Sequence, residues 1–258
     1  MDRPMFQYHG SKWKLARDYL GPPRYSHVVE PFCGSAAFSC LWEPKKVTLI
    51  DKDPLVIGVW RFLQRVSPAE VLRLPSNISH VDQLPAWVPE EARNLIGFWF
   101  NKSLAVPAVR RCNWARQARW HASFWSKTVK HRLASQVDRV RHWTVIEGDW
   151  FDAPNVTAHW FIDPPYKVTG KSYRFNNIDY KLLAEWCKTR KGFTQVCEAV
   201  GAGWLPFEPL GEVVTPRHRY CQPGSSLEAV YEQENAYSNR STKAMKSGGR
   251  EPRNPAAS

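Results

Sequence analysis

The sequence has little that would support a metal centre, a disulfide framework or a membrane span. Its six cysteines are scattered over 258 residues, with no Cys-x-x-Cys pair and no matching histidine spacing, so neither a zinc site nor a set of disulfides is expected. No apolar run approaches the ~20 residues of a transmembrane helix, and the N-terminal residues lack the pattern of a secretory signal. We therefore expect a cytoplasmic protein with no metal and no membrane partner.

Acidic residues are nearly absent from one segment. Residues 101–143 contain ten Lys and Arg but only one acidic residue, Asp138, and so carry +9 of the formal net charge of +12. The cations of this segment alternate with tryptophan and phenylalanine. A basic excess that is concentrated in one place, with aromatic side chains between the cations, is typical of a surface that binds nucleic acid. A solvated helical surface with its tryptophans turned inward is the alternative.

Alternating strand and helix signals indicate the fold class. Short apolar runs predict strands within 27–34 and at 47–50, 144–146, 160–162 and 194–197, and two last strands at 212–221 and 227–233. A helix at about 180–190, with Asp179 as its N-cap, is predicted before the fifth strand. This order indicates an α/β fold with a doubly wound, mainly parallel sheet, and such sheets bind ligands at the carboxyl ends of their strands.

Helical patterns fill the chain between the second and third strands. We therefore expect a core made of residues 1–56 and 144–235, interrupted by a basic helical insertion at 57–143. Residues 236–258 have almost no apolar side chains, which predicts a disordered basic tail.

The most specific motif is Asp163-Pro164-Pro165-Tyr166, directly after an apolar strand. Two consecutive prolines fix the backbone and supply no N–H donor, so the Asp163 carboxylate and the Pro164 carbonyl can project as hydrogen-bond acceptors. Two acceptors suit the two N–H groups of an exocyclic amine. Holding both N–H groups favours a pyramidal nitrogen whose lone pair points at an incoming methyl group. We expect Tyr166 to stack on the base that carries the amine.

Three further motifs precede this turn: Phe6-Gln-Tyr-His-Gly-Ser-Lys12, Glu30-Pro-Phe-Cys-Gly34, and a strand that ends at Asp51. With these motifs in this order, the sequence resembles the Dam-type (D12 class) DNA adenine-N6 methyltransferases, including members encoded by phages or prophages. The resemblance implies a Rossmann-like S-adenosylmethionine-dependent methyltransferase fold, whose mainly parallel sheet has an antiparallel last strand, with an inserted helical target-recognition lobe.

The resemblance also implies a cofactor, S-adenosylmethionine, and the residues that hold it. Asp51 stands at the position that takes the ribose hydroxyls, and Asp149 at the position near the cofactor's adenine. Two positions depart from the family pattern, since Ser11 and Ala36 stand where glycine is usual. The full set of cofactor residues implied by the resemblance is Tyr8, Lys12, Glu30, Phe32, Gly34, Asp51 and Asp149.

The expected activity is methylation of adenine N6 in double-stranded DNA after base flipping, with catalysis by residues 163–166. We expect a monomer or weak dimer, located in the host cytoplasm if a phage encodes it. Methylation of another amino group, such as cytosine N4 or an RNA base, and a catalytically inactive DNA-binding remnant remain alternatives. The residues expected to contact DNA are Asn101, Lys102, Arg110, Arg111, Arg116, Arg119, Lys127, Lys130, Lys171 and Arg174.

Overall fold

A seven-stranded sheet lies at the centre of the computed structural model, which describes residues 1, 3–101, 103–113, 124–213 and 226–235. The sheet order is β3-β2-β1-β4-β5-β7-β6. The strands β1 to β5 pair in parallel, whereas β7 is antiparallel to both β5 and β6. The mainly parallel sheet and its antiparallel last strand are thus confirmed. The strands are β1 (His27–Glu30), β2 (Lys46–Asp51), β3 (Thr144–Glu147), β4 (Ala158–Ile162), β5 (Gly192–Ala199), β6 (Glu208–Val213) and β7 (Ser226–Asn235).

The strand order creates a crevice between β1 and β4. From β1 the chain moves outward through β2 to β3, and then returns to the other side of β1 to form β4. Loops that leave neighbouring strands in opposite directions diverge at this point, and ligands bind there in open α/β sheets. The chain is therefore an α/β protein whose sheet order is compatible with a Rossmann-like fold.

Strand β6 begins earlier than the sequence predicts. It starts at Glu208 rather than at 212, and the predicted residues 214–221 lie outside the described part of the chain. The strand is an edge strand with a bulge between Pro209 and Glu212. Proline is tolerated in such a strand, because an edge leaves one row of N–H groups unpaired.

Helices cover the sheet and form much of the described chain between β2 and β3. Asp179 caps α7 as predicted, since its carboxylate accepts hydrogen bonds from the N–H groups of Lys181 and Leu182. The helices are α1 (Trp13–Leu15), α2 (Ala37–Trp42), α3 (Pro54–Arg65), α4 (Pro68–Arg73), α5 (Glu90–Phe100), α6 (Lys127–Ala134) and α7 (Tyr180–Lys188).

The core is continuous from the sheet into the region between β2 and β3. Helix α3 crosses residue 57, where the predicted insertion begins, and its buried Val59 and Trp60 share one hydrophobic cluster with Val47 and Leu49 of β2. The first helix after β2 is therefore part of the layer that covers the sheet. The division into core and recognition lobe remains a prediction, and the predicted tail at 236–258 lies outside the described residues.

The described residues contain no helix that is both long and apolar enough to cross a bilayer. Within the same residues, no group of three or more His, Cys, Asp and Glu side chains is arranged to hold a metal ion.

Candidate functional site

The turn after β1 brings the backbone at Gly34 close to an aromatic side chain. The N–H of Cys33 donates to the Ile50 carbonyl at 3.0 Å, and the Trp60 indole donates to the Gly34 carbonyl at 2.8 Å. Gly34 has φ +44°, and a Cβ at this position would lie 2.8 Å from the Tyr8 ring. Only glycine therefore fits here without displacing Tyr8.

Asp51 ends β2 with its carboxylate against this turn. The carboxylate accepts from the backbone N–H groups of Gly34 and Asp53, both at 2.9 Å. Burial raises the pKa of Asp51 to about 6, although these hydrogen bonds act in the opposite direction. Each carboxylate oxygen has two lone pairs, so Asp51 keeps acceptor capacity on the side that faces the cavity.

Asp149 follows β3, on the other side of β2. Its carboxylate accepts from the Trp150 N–H at 2.8 Å and pairs with the Lys52 ammonium at 2.7 Å. Since β1, β2, β3 and β4 are parallel, the residues that follow them meet at one edge of the sheet.

A cavity of about 240 Å³ opens at this edge, and a smaller cavity adjoins it. Tyr8, Phe32, Gly34 and Asp163 line both of them. The structure thus brings together all seven predicted cofactor residues. Those on the larger cavity are Tyr8, Phe32, Gly34, Asp51 and Asp149, and those on the smaller one are Tyr8, Lys12, Glu30, Phe32 and Gly34.

The two proline carbonyls of the proline turn, residues 163–166, differ in their hydrogen bonding. The Tyr180 hydroxyl donates to the Pro165 carbonyl at 2.6 Å, whereas no hydrogen bond from the described residues reaches the Pro164 carbonyl. The Asp163 side chain is 20% exposed and faces both cavities. Burial raises the pKa of Asp163 to about 6, and the neighbouring Lys12 limits this rise.

Lys12 connects the N-terminal segment to the proline turn. Its ammonium lies 3.0 Å from Asp163 Oδ1, donates to the Gly10 carbonyl at 2.8 Å, and sits 4.6 Å above the centre of the Tyr166 ring. Burial opposes the charge of Lys12, but the carboxylates of Asp163 and Glu228 outweigh burial and raise the pKa of the ammonium. The Lys12 ammonium therefore stays charged across the physiological range.

Tyr166 is more enclosed than the sequence predicts. Its hydroxyl donates to the Glu228 carboxylate, and its side chain packs against a hydrophobic cluster that includes Phe161 and Cys197. One ring face is occupied by the Lys12 ammonium. Base stacking on Tyr166 remains a prediction, and the ring is not part of either cavity wall among the described residues.

Glu30 supports the turn from below. Its side chain is buried and accepts from the Ser39 N–H at 2.8 Å, in the first turn of α2. Burial raises the pKa of Glu30 to about 8, because only the hydrogen bonds from Ser39 favour its charged form.

Two residues predicted to contact DNA instead have structural roles. Lys130 is buried, and its ammonium donates to the carbonyls of Leu72 and Leu74 at 2.9 and 2.6 Å. The Arg111 guanidinium donates to the Trp125 carbonyl at 2.6 Å, and desolvation lowers its pKa. The assignment of Lys130 to the DNA surface is therefore wrong, because its cation caps carbonyls after α4. Arg111 is partly buried, and it also bonds to the protein's own backbone.

The other predicted DNA contacts differ in exposure. Arg110, Lys127 and Lys171 are exposed, and the Asn101 side chain accepts from the Ser103 N–H at 3.0 Å. Arg174 lines the larger cavity and pairs with Asp53 at 2.8 Å. The remaining predicted contacts, Lys102, Arg116 and Arg119, lie outside the described residues.

Several site residues were not predicted as such. Tyr173 lines both cavities, and its hydroxyl donates to the His9 carbonyl at 3.0 Å. The buried carboxylates of Glu198 and Glu228, on β5 and β7, stand behind the proline turn. An aromatic residue shortly after the proline turn was a usable signal for Tyr173. No local pattern marks the two glutamates, because strand pairing alone brings them to the turn.

Comparisons with known proteins leave the family of this chain open. No protein-family model matches it, and no curated protein matches it. Among solved structures it is similar to a conserved hypothetical protein of Streptococcus pyogenes, with 9% sequence identity and a TM-score of 0.37. That match covers 88% of this chain and 95% of the other. A likeness of this strength says nothing about function.

Proposed function

We propose that this protein is an S-adenosylmethionine-dependent methyltransferase that acts on the N6 amino group of adenine in duplex DNA. The observation that carries the proposal is the shared lining of one cavity. Asp163 and Pro165 of the proline turn face the same space as Asp51 and Asp149, at the carboxyl edge of the sheet. A methyl donor and an acceptor amine must meet in one such space.

The residues present fit the proposed cofactor. The Gly34 backbone approaches the Tyr8 ring so closely that a Cβ would collide with it, and such a close approach is typical of turns that bind a ligand through the backbone. Asp51 keeps acceptor capacity toward the cavity for a pair of ribose hydroxyls, the role that a strand-end carboxylate has in dinucleotide folds. Lys12, Phe32 and the turn above Glu30 would hold the methionine part.

When bound, S-adenosylmethionine supplies an electrophilic methyl group on a sulfonium centre. Asp163 and the Pro164 carbonyl accept the two N–H groups of the adenine amine and orient its lone pair. As N6 gains an N–CH₃ bond, the S–CH₃ bond of the donor would break with its electron pair left on sulfur as a thioether, and N6 would give up one proton. The Asp163 carboxylate, whose pKa burial raises to about 6, is basic enough to accept this proton.

Charge supports DNA as the partner. The formal net charge is +12, and phosphate contacts supply most of the affinity of such proteins. Lys171 and Arg174 belong to the segment that follows the proline turn, and Arg174 lines the cavity that contains the proposed amine site. An adenine must leave the helical stack to reach it, at a cost of a few kcal/mol that protein contacts offset.

Asp163→Ala tests the central step. We expect transfer of labelled methyl groups to fall by at least about 100-fold, since a preorganised polar partner at the reacting group contributes that much or more. The Kd for S-adenosylmethionine, measured by calorimetry, should stay within a few-fold of wild type. Asp18→Ala is the control, because that carboxylate is exposed and pairs with the adjacent Arg17 on the surface.

Mass spectrometry of treated DNA and RNA identifies the methylated base. N6-methyladenine supports the proposal, and methyl groups found only on cytosine N4 or on RNA assign the site to another amine. A wild-type protein that releases no heat with S-adenosylmethionine would be the inactive remnant, and undiminished transfer by Asp163→Ala would remove the proposed role of the turn.

A further inference from the structure

The last strand of the sheet contributes a buried carboxylate to the proposed site. Glu228 lies on β7 with 7% of its surface exposed, opposite the end of β5. Its carboxylate accepts a hydrogen bond from the Tyr166 hydroxyl. A buried charge is costly unless it is paired and hydrogen-bonded, so its presence behind the proline turn calls for a role.

Glu228 closes a chain of contacts that runs through the site. Asp163 contacts the Lys12 ammonium, Lys12 lies over the Tyr166 ring, and the Tyr166 hydroxyl contacts Glu228. These contacts join the N-terminal segment, the proline turn and β7, which are far apart in the sequence.

We propose that Glu228 is a positioning residue for methyl transfer, which holds Tyr166 by its hydroxyl and balances the Lys12 cation together with Asp163. This inference rests on the proposed function. Glu228 reaches neither cavity among the described residues, and it therefore acts through Tyr166 and through charge rather than by touching substrate.

The charge part of this role concerns the ionisation of Asp163. Lys12 favours the ionised form of Asp163, whereas Glu228 and Glu198 oppose it. Loss of the charge at Glu228 should therefore lower the pKa of Asp163. Four other titratable groups face Asp163. They are Glu30 on β1, Tyr166 in the proline turn, Tyr173 in the segment after it, and Cys197 on β5.

Glu228→Gln tests the charge, because glutamine keeps the length and an acceptor oxygen for Tyr166. We expect the acidic limb of the kcat profile to move to lower pH by up to roughly one unit, with an unchanged Kd for S-adenosylmethionine. Glu234→Gln is the matched control. Glu234 lies on the same strand and accepts from the Tyr25 hydroxyl at 2.5 Å, but it is 42% exposed and far from the turn.

Glu228→Asp tests the contact, because aspartate keeps the buried charge but is one methylene too short to reach Tyr166 unchanged. We expect kcat to fall about tenfold, with the acidic limb at its wild-type position and KM for DNA unchanged. This variant still tests the proposal if Glu228→Gln does not fold. An unmoved limb in Glu228→Gln, or a wild-type kcat in Glu228→Asp, would overturn the corresponding half of the proposal.

Carboxyl NMR separates this inference from the proposed function. The ionisation of Asp163, followed in aspartate-labelled protein and assigned with Asp163→Asn, needs no turnover. A downward shift of its midpoint in Glu228→Gln supports the electrostatic role, and an unshifted midpoint overturns that role. A wild-type protein that methylates no substrate would overturn the proposed function and the positioning role with it, whatever the NMR midpoint shows.

Discussion

Gly34 and Ala36 lie two residues apart in the turn after β1, and both have φ +44°, in the left-handed region. For alanine this conformation costs roughly 1–2 kcal/mol. Against glycine, alanine recovers about 0.5–1 kcal/mol of backbone entropy and about 0.8 kcal/mol from a buried methyl group. These contributions nearly cancel, which explains how alanine is tolerated at position 36.

No such balance is available at Gly34, because the space for a methyl group is taken by the Tyr8 ring. We expect Gly34→Ala to lower the free energy of unfolding by at least about 1 kcal/mol and to weaken binding of S-adenosylmethionine at least tenfold, since Tyr8 must move within the cavity wall. Chemical denaturation and calorimetry measure the two effects.

Gly21→Ala is the matched control for this substitution. Gly21 has φ +67°, but a Cβ there would meet nothing within 4 Å. The Gly21→Ala variant should lose stability through backbone strain alone and keep its cofactor affinity. Equal cofactor affinity in both variants would contradict the role of the Gly34 turn.

Helix α6 carries one exposed lysine and one buried lysine, and the two have different roles. Lys127 is exposed in the first turn, whereas Lys130 is buried and satisfies the carbonyls of Leu72 and Leu74. The two residues are three positions apart, so they are neighbours along the helix. Their surroundings nevertheless differ, because the Lys130 ammonium reaches carbonyls at the end of α4 whereas Lys127 is exposed.

Lys130→Met should therefore destabilise the protein, by about 1–3 kcal/mol, because two buried carbonyls lose their donor. Lys127→Met should change stability by less than about 0.5 kcal/mol, since it removes an exposed cation that the helix N-terminus disfavours. Thermal or urea unfolding of both variants checks this difference. Similar losses in the two variants would show that Lys130 is not structurally committed.

Local sequence patterns were sufficient to predict most strands of the sheet and the N-cap of α7. Short apolar runs and a capping aspartate act within a few residues of the chain. The ordered motifs also predicted seven of the residues that line the cavities. Burial of Lys130 and the pairing of Arg174 with Asp53 could not be predicted in this way. Both depend on contacts between residues far apart in the sequence, and a list of charges does not say which of them face inward.

At the scale of the whole molecule, the net charge of +12 overstates the cations that are available to DNA. Arg61 and Arg65 of α3 pair with Glu147 and Glu91 at 3.0 and 2.7 Å, and Lys130 is enclosed. Arg110 and Lys127 are exposed without an acidic partner among the described residues. Phosphate contacts, and not net charge, determine how steeply affinity falls with salt.

Two double variants with the same change in net charge show whether the net charge or the exposed cations determine the salt dependence of DNA binding. Arg110→Gln with Lys127→Gln should reduce the slope of log K against log salt by roughly two, because each phosphate contact contributes about 0.9. Arg61→Gln with Arg65→Gln should leave the slope nearly unchanged, since those guanidinium groups already face carboxylates. Fluorescence anisotropy of a labelled duplex over a range of salt concentrations measures both slopes. Equal reductions would mean that DNA responds to the overall field of the protein, and that the exposed cations of the predicted lobe do not form a contact surface.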